Sequence, residues 1–311
     1  MRPRENELKV INVASVPQRS PFRYPGGKTW LIPYIRQWLC SRLPRPEELV
    51  EPFAGGAIVG LTVAFERLAE SVKLIEKDED VAAVWHTIFN TGYGKWLADR
   101  IVAFEFTPER VRAEIHTPRF RLPLRERAFK TIVRNRVQRG GILAQGAGLM
   151  KEGENGRGMA SRWYPATLHR RIMAILEVKS WIRFEQGDGL EGIRENADRP
   201  NVAFFIDPPY TVAGRRLYTY NQVNHRELFE TVAGVAGDFL MTYDNSKEIR
   251  DLANCHGFDT RLVPMKSTHH TEMSELMIGR DLSWLSIPDK SGRGDGADAL
   301  QTCLDLLDAP Q

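Results

Sequence analysis

The chain has 311 residues, 42% of them hydrophobic and 27% charged, the proportions of a soluble globular enzyme with room for one large domain and a substantial insertion. No apolar run approaches the ~20 residues a membrane span needs, and no early stretch reads as a signal peptide. Cys40, Cys255 and Cys303 are too scattered to form a metal or redox pair, so a reducing cytoplasm is the expected compartment.

The net charge of +3 conceals an asymmetry. Arg100 to Lys179 holds 17 Lys/Arg, 14 of them arginine, against 7 Asp/Glu, whereas the remainder holds 26 basic and 33 acidic residues. A basic block on an acidic body is the footprint of a phosphate-binding surface, and arginine suits bidentate contacts to phosphate and guanine. The plainer reading is a salt-bridged helical face in solvent.

Residues 1–20 lack periodicity and read as a flexible leader. Thr29 to Cys40 is predicted helical, because Trp30, Leu31, Tyr34, Ile35 and Trp38 recur at helical spacing and Pro33 falls near the first turn, where proline is tolerated. Glu48 to Glu51 reads as a short strand running into Pro52-Phe53-Ala54-Gly55-Gly56, with a helix expected over 57–69. A second strand, Val72 to Ile75, ends in Glu76, and a helix is expected over 80–90. Strand, glycine turn, helix, strand, acid, helix is the order of the first half of a nucleotide-binding α/β sheet.

Residues 95–182 break that rhythm. Short helices are predicted at 108–115, 124–137 and 166–177, around a glycine-rich loop from Arg139 to Gly158. The α/β pattern resumes with a strand over 181–185, then Gly187-Asp188-Gly189, the apolar run Val202 to Ile206, a helix over 225–235 and a strand from Phe239 to Tyr243. Two last strands are expected near 258–263 and 275–278. Trp85, Phe89, Phe229 and Phe239 are expected in the core. After Pro288 the chain turns polar and glycine-rich, with one short helix expected at 299–307. The implied division is a discontinuous catalytic domain (21–94 and 181–287), a basic insert (95–180) and a polar tail (288–311).

Asp207-Pro208-Pro209-Tyr210 is the most telling stretch. Proline removes an N–H and fixes φ, so the two prolines end the strand and stiffen the turn. A planar amino group, such as the exocyclic amine of a nucleobase, can then be gripped by the carboxylate and a freed carbonyl while its ring stacks on the tyrosine. The Gly55-Gly56 turn lets backbone approach a ligand at the end of the first strand. It has neither the Gly-x-Gly-x-x-Gly spacing of a dinucleotide site nor the Lys-Ser/Thr of a P-loop. Glu76 stands where an acid accepts from ribose hydroxyls, and Asp188 where one accepts from an adenine amine. Phe22 to Lys28 adds a ring and a cation from outside the sheet. His269-His270 has no third ligand at usable spacing, so no metal site is expected. Tyr218, Tyr220, Arg215 and Arg216 either close over a flipped base or form a surface loop.

In this motif order the chain resembles the Dam-like class of S-adenosylmethionine-dependent DNA N6-adenine methyltransferases. The likeness runs through Tyr24-Pro25-Gly26-Gly27-Lys28, Glu51 to Gly56, Glu76 with Asp78, Asp188 and Asp207 to Tyr210. It extends to Tyr243-Asp244-Asn245-Ser246 and Glu275-Leu276-Met277-Ile278. The resemblance implies a Rossmann-like methyltransferase sheet with an inserted, mainly helical target-recognition domain. It implies methyl transfer to adenine N6 in double-stranded DNA, on a flipped-out base and without metal. Asp207, Pro208, Pro209 and Tyr210 would then be catalytic. Tyr24, Lys28, Phe53, Gly55, Gly56, Glu76, Asp188 and Asp207 would contact the cofactor. Arg134, Arg136, Arg139, Arg157 and Arg162 are the insert's candidates for DNA contact. A bacterial or phage protein at the nucleoid, with or without a cognate restriction endonuclease, fits that class. Tyr24 stands where the class often has Trp, Glu76 where it often has Asp, and Ala57 where a third Gly is common. An RNA base-amine methyltransferase and a silent DNA-binding regulator on the same scaffold are the competing readings.

Overall fold

The computed structural model describes residues 16–23, 27–144, 146–153, 156–210, 223–266 and 272–285. Among the described residues, seven strands form one sheet: β1 (Glu48–Glu51), β2 (Ser71–Glu76), β3 (Ile182–Gln186), β4 (Val202–Ile206), β5 (Asp238–Asp244), β6 (Asp259–Lys266) and β7 (Glu272–Gly279). Their order is β3-β2-β1-β4-β5-β7-β6, and β7 alone runs antiparallel to its neighbours. This is the Rossmann-like methyltransferase sheet the sequence led us to expect. The order reverses between β1 and β4, and the crevice at the carboxyl ends of those two strands is where such a sheet holds its ligand. The Pro52 to Gly56 turn and the Asp207 to Tyr210 turn flank that crevice.

The strands read as apolar runs because both faces are covered. Alternate residues of β4 point to opposite sides: Ala203 and Phe205 enter one core, and Val202, Phe204 and Ile206 the other. The first core takes in α1 (Ile32–Cys40), α2 (Ile58–Glu66), α3 (Glu79–Phe89) and the helices of the insert. The second takes in α8 (Gly189–Arg194), α9 (His225–Ala233) and α10 (Lys247–Cys255). Within the insert, α4 (Gly94–Ala103), α5 (Pro108–His116), α6 (Leu124–Val137) and α7 (Pro165–Val178) form a helical layer. Ala128, Phe129, Ile132 and Val133 of α6 lie in the same core as Trp85 and Leu49, so insert and sheet share one apolar interior.

Three helices went unforeseen. The α4 face buries Gly94, Leu97, Ala98 and Ile101 at helical spacing, but it opens on a glycine. The α8 helix has only six residues. The α10 helix buries only Ile249 and Ala253, behind its Ser246 cap. The leader also needs correcting where it is described: Val16 is buried in the first core, and Arg19 pairs with Glu66 at 3.0 Å. Residues 1–15 and the tail from 286 lie outside the described residues. Cys255 is a free, exposed thiol.

Ala57, the N-cap of α2, sits in the left-handed region at φ 49°, ψ 32°. A residue with a Cβ is strained there by about 1–2 kcal/mol. Glycine relieves this but loses about 0.5–1 kcal/mol of chain entropy. Ala57→Gly is therefore expected to leave stability unchanged or raise it by up to about 1 kcal/mol, read as the urea midpoint. A clear loss would show that the methyl group contributes packing that outweighs the strain.

Candidate active site

Pro208 is buried and Asp207, Pro209 and Tyr210 are half-buried at the end of β4, where the central position of that strand in the sheet places them in the crevice. Among the described residues, three groups converge on Asp207 Oδ1. Thr242 Oγ1 donates at 2.8 Å, Lys28 Nζ pairs at 3.0 Å, and the Tyr210 hydroxyl, whose one proton it shares with Glu275, lies at 3.2 Å. Thr242 comes from β5, next to β4 in the sheet, so the pleat itself delivers it. Lys28 comes from the turn before α1 and is only 3% exposed.

A second carboxylate completes the cluster. Glu275, on β7 beside β5, accepts from the Tyr210 hydroxyl at 2.9 Å and lies 3.4 Å from Lys28 Nζ. One ammonium therefore serves two acids. Burial opposes the charge on Lys28, but Asp207 and Glu275 outweigh it and hold the ammonium above its ordinary range. Burial pushes the Glu275 carboxyl up; Lys28 pulls it down and Asp207 adds repulsion, with a net rise. Glu275 formed part of the quoted motif, but its role was not foreseen. The signal was an acid inside the apolar strand Leu276-Met277-Ile278, where an ionised group needs a partner.

The Tyr210 ring is less open than a stacking platform would be. Its centroid is 5.9 Å from that of Tyr243 with the planes 25° apart, and Lys28 Nζ stands 5.0 Å away. Tyr243 is fixed in turn by its hydroxyl contact with His225 Nδ1 at 3.0 Å.

Across the crevice, Glu76 is buried at the end of β2 and accepts from the backbone N–H of Gly55 and of Asp78, both at 2.7 Å. Burial dominates its titration and raises its pKa to about 7, against those two N–H groups. Trp85 Nε1 donates to the Gly55 carbonyl at 2.9 Å, so the glycine turn is held from both sides. Glu51 has another task. Its buried carboxylate accepts from the Gly60 N–H at 2.7 Å and seats the first turn of α2 against β1. Desolvation pushes the Glu51 carboxyl far up, only partly opposed by Gly60.

Asp188 caps α8 through the Leu190 N–H at 2.9 Å and pairs with Lys77 at 2.8 Å. Burial works against its charge, but Lys77 and the cap prevail and its carboxyl is held below the usual range. The next residue must be glycine on space alone: a Cβ on Gly189 would stand 2.3 Å from the Pro52 carbonyl oxygen and 2.9 Å from the Phe53 ring. That close approach joins the Asp188 turn to the Phe53 turn. Lys77, His86, Asn90, Phe184 and Asp188 line an open groove on this side.

The five arginines proposed for DNA divide. Arg134 pairs with Asp80 at 2.8 Å and donates to the Leu143 carbonyl at 2.8 Å, which ties α6 to α3. Arg136 is 5% exposed and donates to the Pro21 carbonyl, and burial beside Arg171, Arg23 and Arg162 lowers its pKa to about 9. Both side chains fasten the insert inward, a correction to their reading as DNA contacts: a helix packed on one face turns some of its cations toward the body. Arg139 and Arg157 are exposed, and Arg162 is half-buried. Asn135 completes the fastening, accepting from the Arg23 N–H at 2.8 Å and donating to the Arg23 carbonyl at 2.7 Å. Tyr24, Arg215, Arg216, Tyr218, Tyr220, His269 and His270 lie outside the described residues.

Among the described residues no helix is long and apolar enough to cross a membrane, and no three His, Cys, Asp or Glu gather as a metal site. No curated protein matches the chain. Solved structures that resemble it are remote. One is a precorrin-6y C5,15-methyltransferase from Geobacter metallireducens, with 10% identity, a TM-score of 0.34, and coverage of 79% of this chain and 86% of that one. Another is a candidate RNA methyltransferase from Pyrococcus horikoshii, with 10% identity, a TM-score of 0.33, and coverage of 87% and 91%. The family model for D12 class N6 adenine-specific DNA methyltransferases matches residues 24–70, the stretch from the Lys28 turn through β1 and its glycine turn to the end of α2. The chain has a Rossmann-like sheet, and its resemblance to the D12 class is borne out over those residues.

Proposed function

We propose that the chain transfers a methyl group from S-adenosylmethionine to the N6 amine of an adenine flipped out of double-stranded DNA. The observation that carries this reading is the rigid Asp207-Pro208-Pro209-Tyr210 corner, whose carboxylate is held on one oxygen by Thr242, Tyr210 and Lys28. The crevice beside it fits the cofactor: a buried acid for a ribose diol, a glycine turn that admits close approach, and a second acid turn at Asp188. When bound, the sulfonium supplies an electrophilic methyl group.

The residues supply the rest. Adenine N6 is a poor nucleophile because its lone pair is delocalised into the ring. Donation of its N–H groups to Asp207 and to the Pro208 carbonyl favours a tetrahedral nitrogen and stabilises the positive charge that develops there. For the Tyr210 ring to take up the face of the base, Lys28 Nζ, 5.0 Å from its centroid, has to shift aside. Flipping costs roughly a few kcal/mol, which phosphate contacts from exposed cations of the insert offset.

The test is incubation of the purified protein with labelled S-adenosylmethionine and either duplex DNA or RNA, followed by nucleoside analysis. N6-methyladenine from the DNA is expected. Label confined to RNA, or on a ring carbon, would overturn the reading; no transfer to either polymer would favour a silent regulator.

Glu76 gives this reading a pH signature. With a carboxyl titrating near 7, only the ionised form accepts from both ribose hydroxyls. Cofactor affinity is thus expected to rise about tenfold between about pH 6 and pH 8. Stability without ligand moves the other way. The folded pKa lies above the unfolded one, so the contribution is complete below about pH 4 and is lost as pH rises through 7. Calorimetric titration checks this, and Glu76→Gln should flatten the profile.

A further inference from the structure

Between α5 and α6 the chain reads Pro118-Arg119-Phe120-Arg121-Leu122-Pro123. Arg119–Arg121 forms a 3-10 turn, closed by the Arg121 N–H on the Pro118 carbonyl at 3.1 Å and the Leu122 N–H on the Arg119 carbonyl at 3.1 Å. With a proline at each end, the turn is stiff. It holds Phe120 82% exposed, more than any other described aromatic residue. A single exposed apolar side chain needs no explanation. A ring fixed outward by a framed turn, with its charged neighbours arranged as here, has a more specific reading.

Arg119 pairs with Glu79 at 3.3 Å and reaches Asp80 at 4.0 Å. Those acids open α3, three and four residues after Glu76 at the carboxyl end of β2. The turn is therefore anchored at the edge of the sheet that carries the Asp207 corner, two strands away from it. At ~4.8 Å per strand that is roughly 10 Å across the sheet. Arg121 is exposed and its guanidinium carbon lies 5.6 Å from the Phe120 ring centroid. An aromatic face beside a guanidinium, within the basic block, is the combination that stacks on a base and holds the next phosphate.

We propose that Phe120 is a nucleic-acid contact of this enzyme: its ring stacks on a base of the duplex beside the catalytic crevice, and Arg121 holds an adjoining phosphate. Arg119 acts through Glu79 and Asp80 as the residue that positions the turn. The assignment rests on the DNA-methyltransferase reading above, and it adds a base contact outside the five arginines and the proline corner. Apolar side chains that enter a base step pry it open, which here would occur next to the pocket that receives the flipped base.

Fluorescence anisotropy with a labelled random-sequence duplex tests the assignment on the full chain, with Phe120→Ala, Phe120→Trp and Arg121→Ala alongside wild type. Phe120→Ala should weaken binding about tenfold, with an unchanged melting temperature and unchanged S-adenosylmethionine affinity, and Phe120→Trp should restore it. Arg121→Ala should lower the slope of log affinity against log salt by about one. Unchanged duplex affinity in Phe120→Ala overturns the assignment. So does a fall in melting temperature that accounts for the loss, or an effect confined to an RNA competitor. Wild-type protein that methylates DNA while Phe120→Ala binds normally removes Phe120 alone; wild type that binds no duplex removes both readings.

Discussion

Asp207→Asn should lower the rate of methyl transfer by about 10²–10³-fold, the loss typical of removing one preorganised electrostatic group. Asparagine keeps the shape and leaves an oxygen for Thr242 and Tyr210, both of which contact Oδ1 in the wild type. In the proposed mechanism it removes the negative charge that faces the amine as that nitrogen becomes positive, so the deficit should fall on kcat in single-turnover assays. The resemblance also counts Asp207 among the cofactor contacts, which the same variant separates: loss of S-adenosylmethionine affinity with kcat retained would make Asp207 a binding residue. Asp207→Ala removes the acceptor as well and should fall further. Wild-type kcat in either variant removes Asp207 from the chemistry.

The sheet was legible because its strands obey simple patterns. Val202 to Ile206 is apolar throughout, as a strand covered on both faces must be, and Glu48 to Glu51 was found to the residue because a glycine turn follows it. The order acid, glycine turn, acid, proline corner also placed Glu76, Asp188 and Asp207 at one edge of the sheet. The helix Lys247–Cys255 was legible and went unread: Ile249, Leu252 and Ala253 recur at helical spacing against a charged face, behind the Ser246 cap. Arg134 and Arg136 show a second limit. Composition counts a cation wherever its side chain points, and these two point inward. Glu275 shows a third: β7 reaches the site by inserting antiparallel between β5 and β6, and the residues Glu275 meets there, Lys28 and Tyr210, are far away in sequence.

The largest non-additive effect is expected at Lys28 and Glu275. Lys28 is the ammonium that lies against both Glu275 and Asp207, and the Tyr210 hydroxyl links the two acids. Removing one partner of a buried ion pair costs about 3–5 kcal/mol, because a buried charge is left uncompensated. Lys28→Met leaves two acids facing each other, and the cheapest relief is for one to keep a proton. The acidic limb of the kcat profile should therefore move up by about 1–3 pH units, the range over which a neighbouring opposite charge shifts a carboxylate. The loss in transfer should therefore be greatest at acid pH and fade as pH rises. Adding Glu275→Gln removes the rival acid from the cluster. The double variant should recover much of the acidic limb and some of the lost stability, although it carries one more substitution. Glu275→Gln alone should be mild, since Lys28 then serves Asp207 undivided. The groups titrate as a set, so each variant needs the whole pH profile and not a single rate. If Glu275→Gln changes nothing in the Lys28→Met background, Glu275 is not coupled to Asp207 and the shared ammonium does not link the two acids.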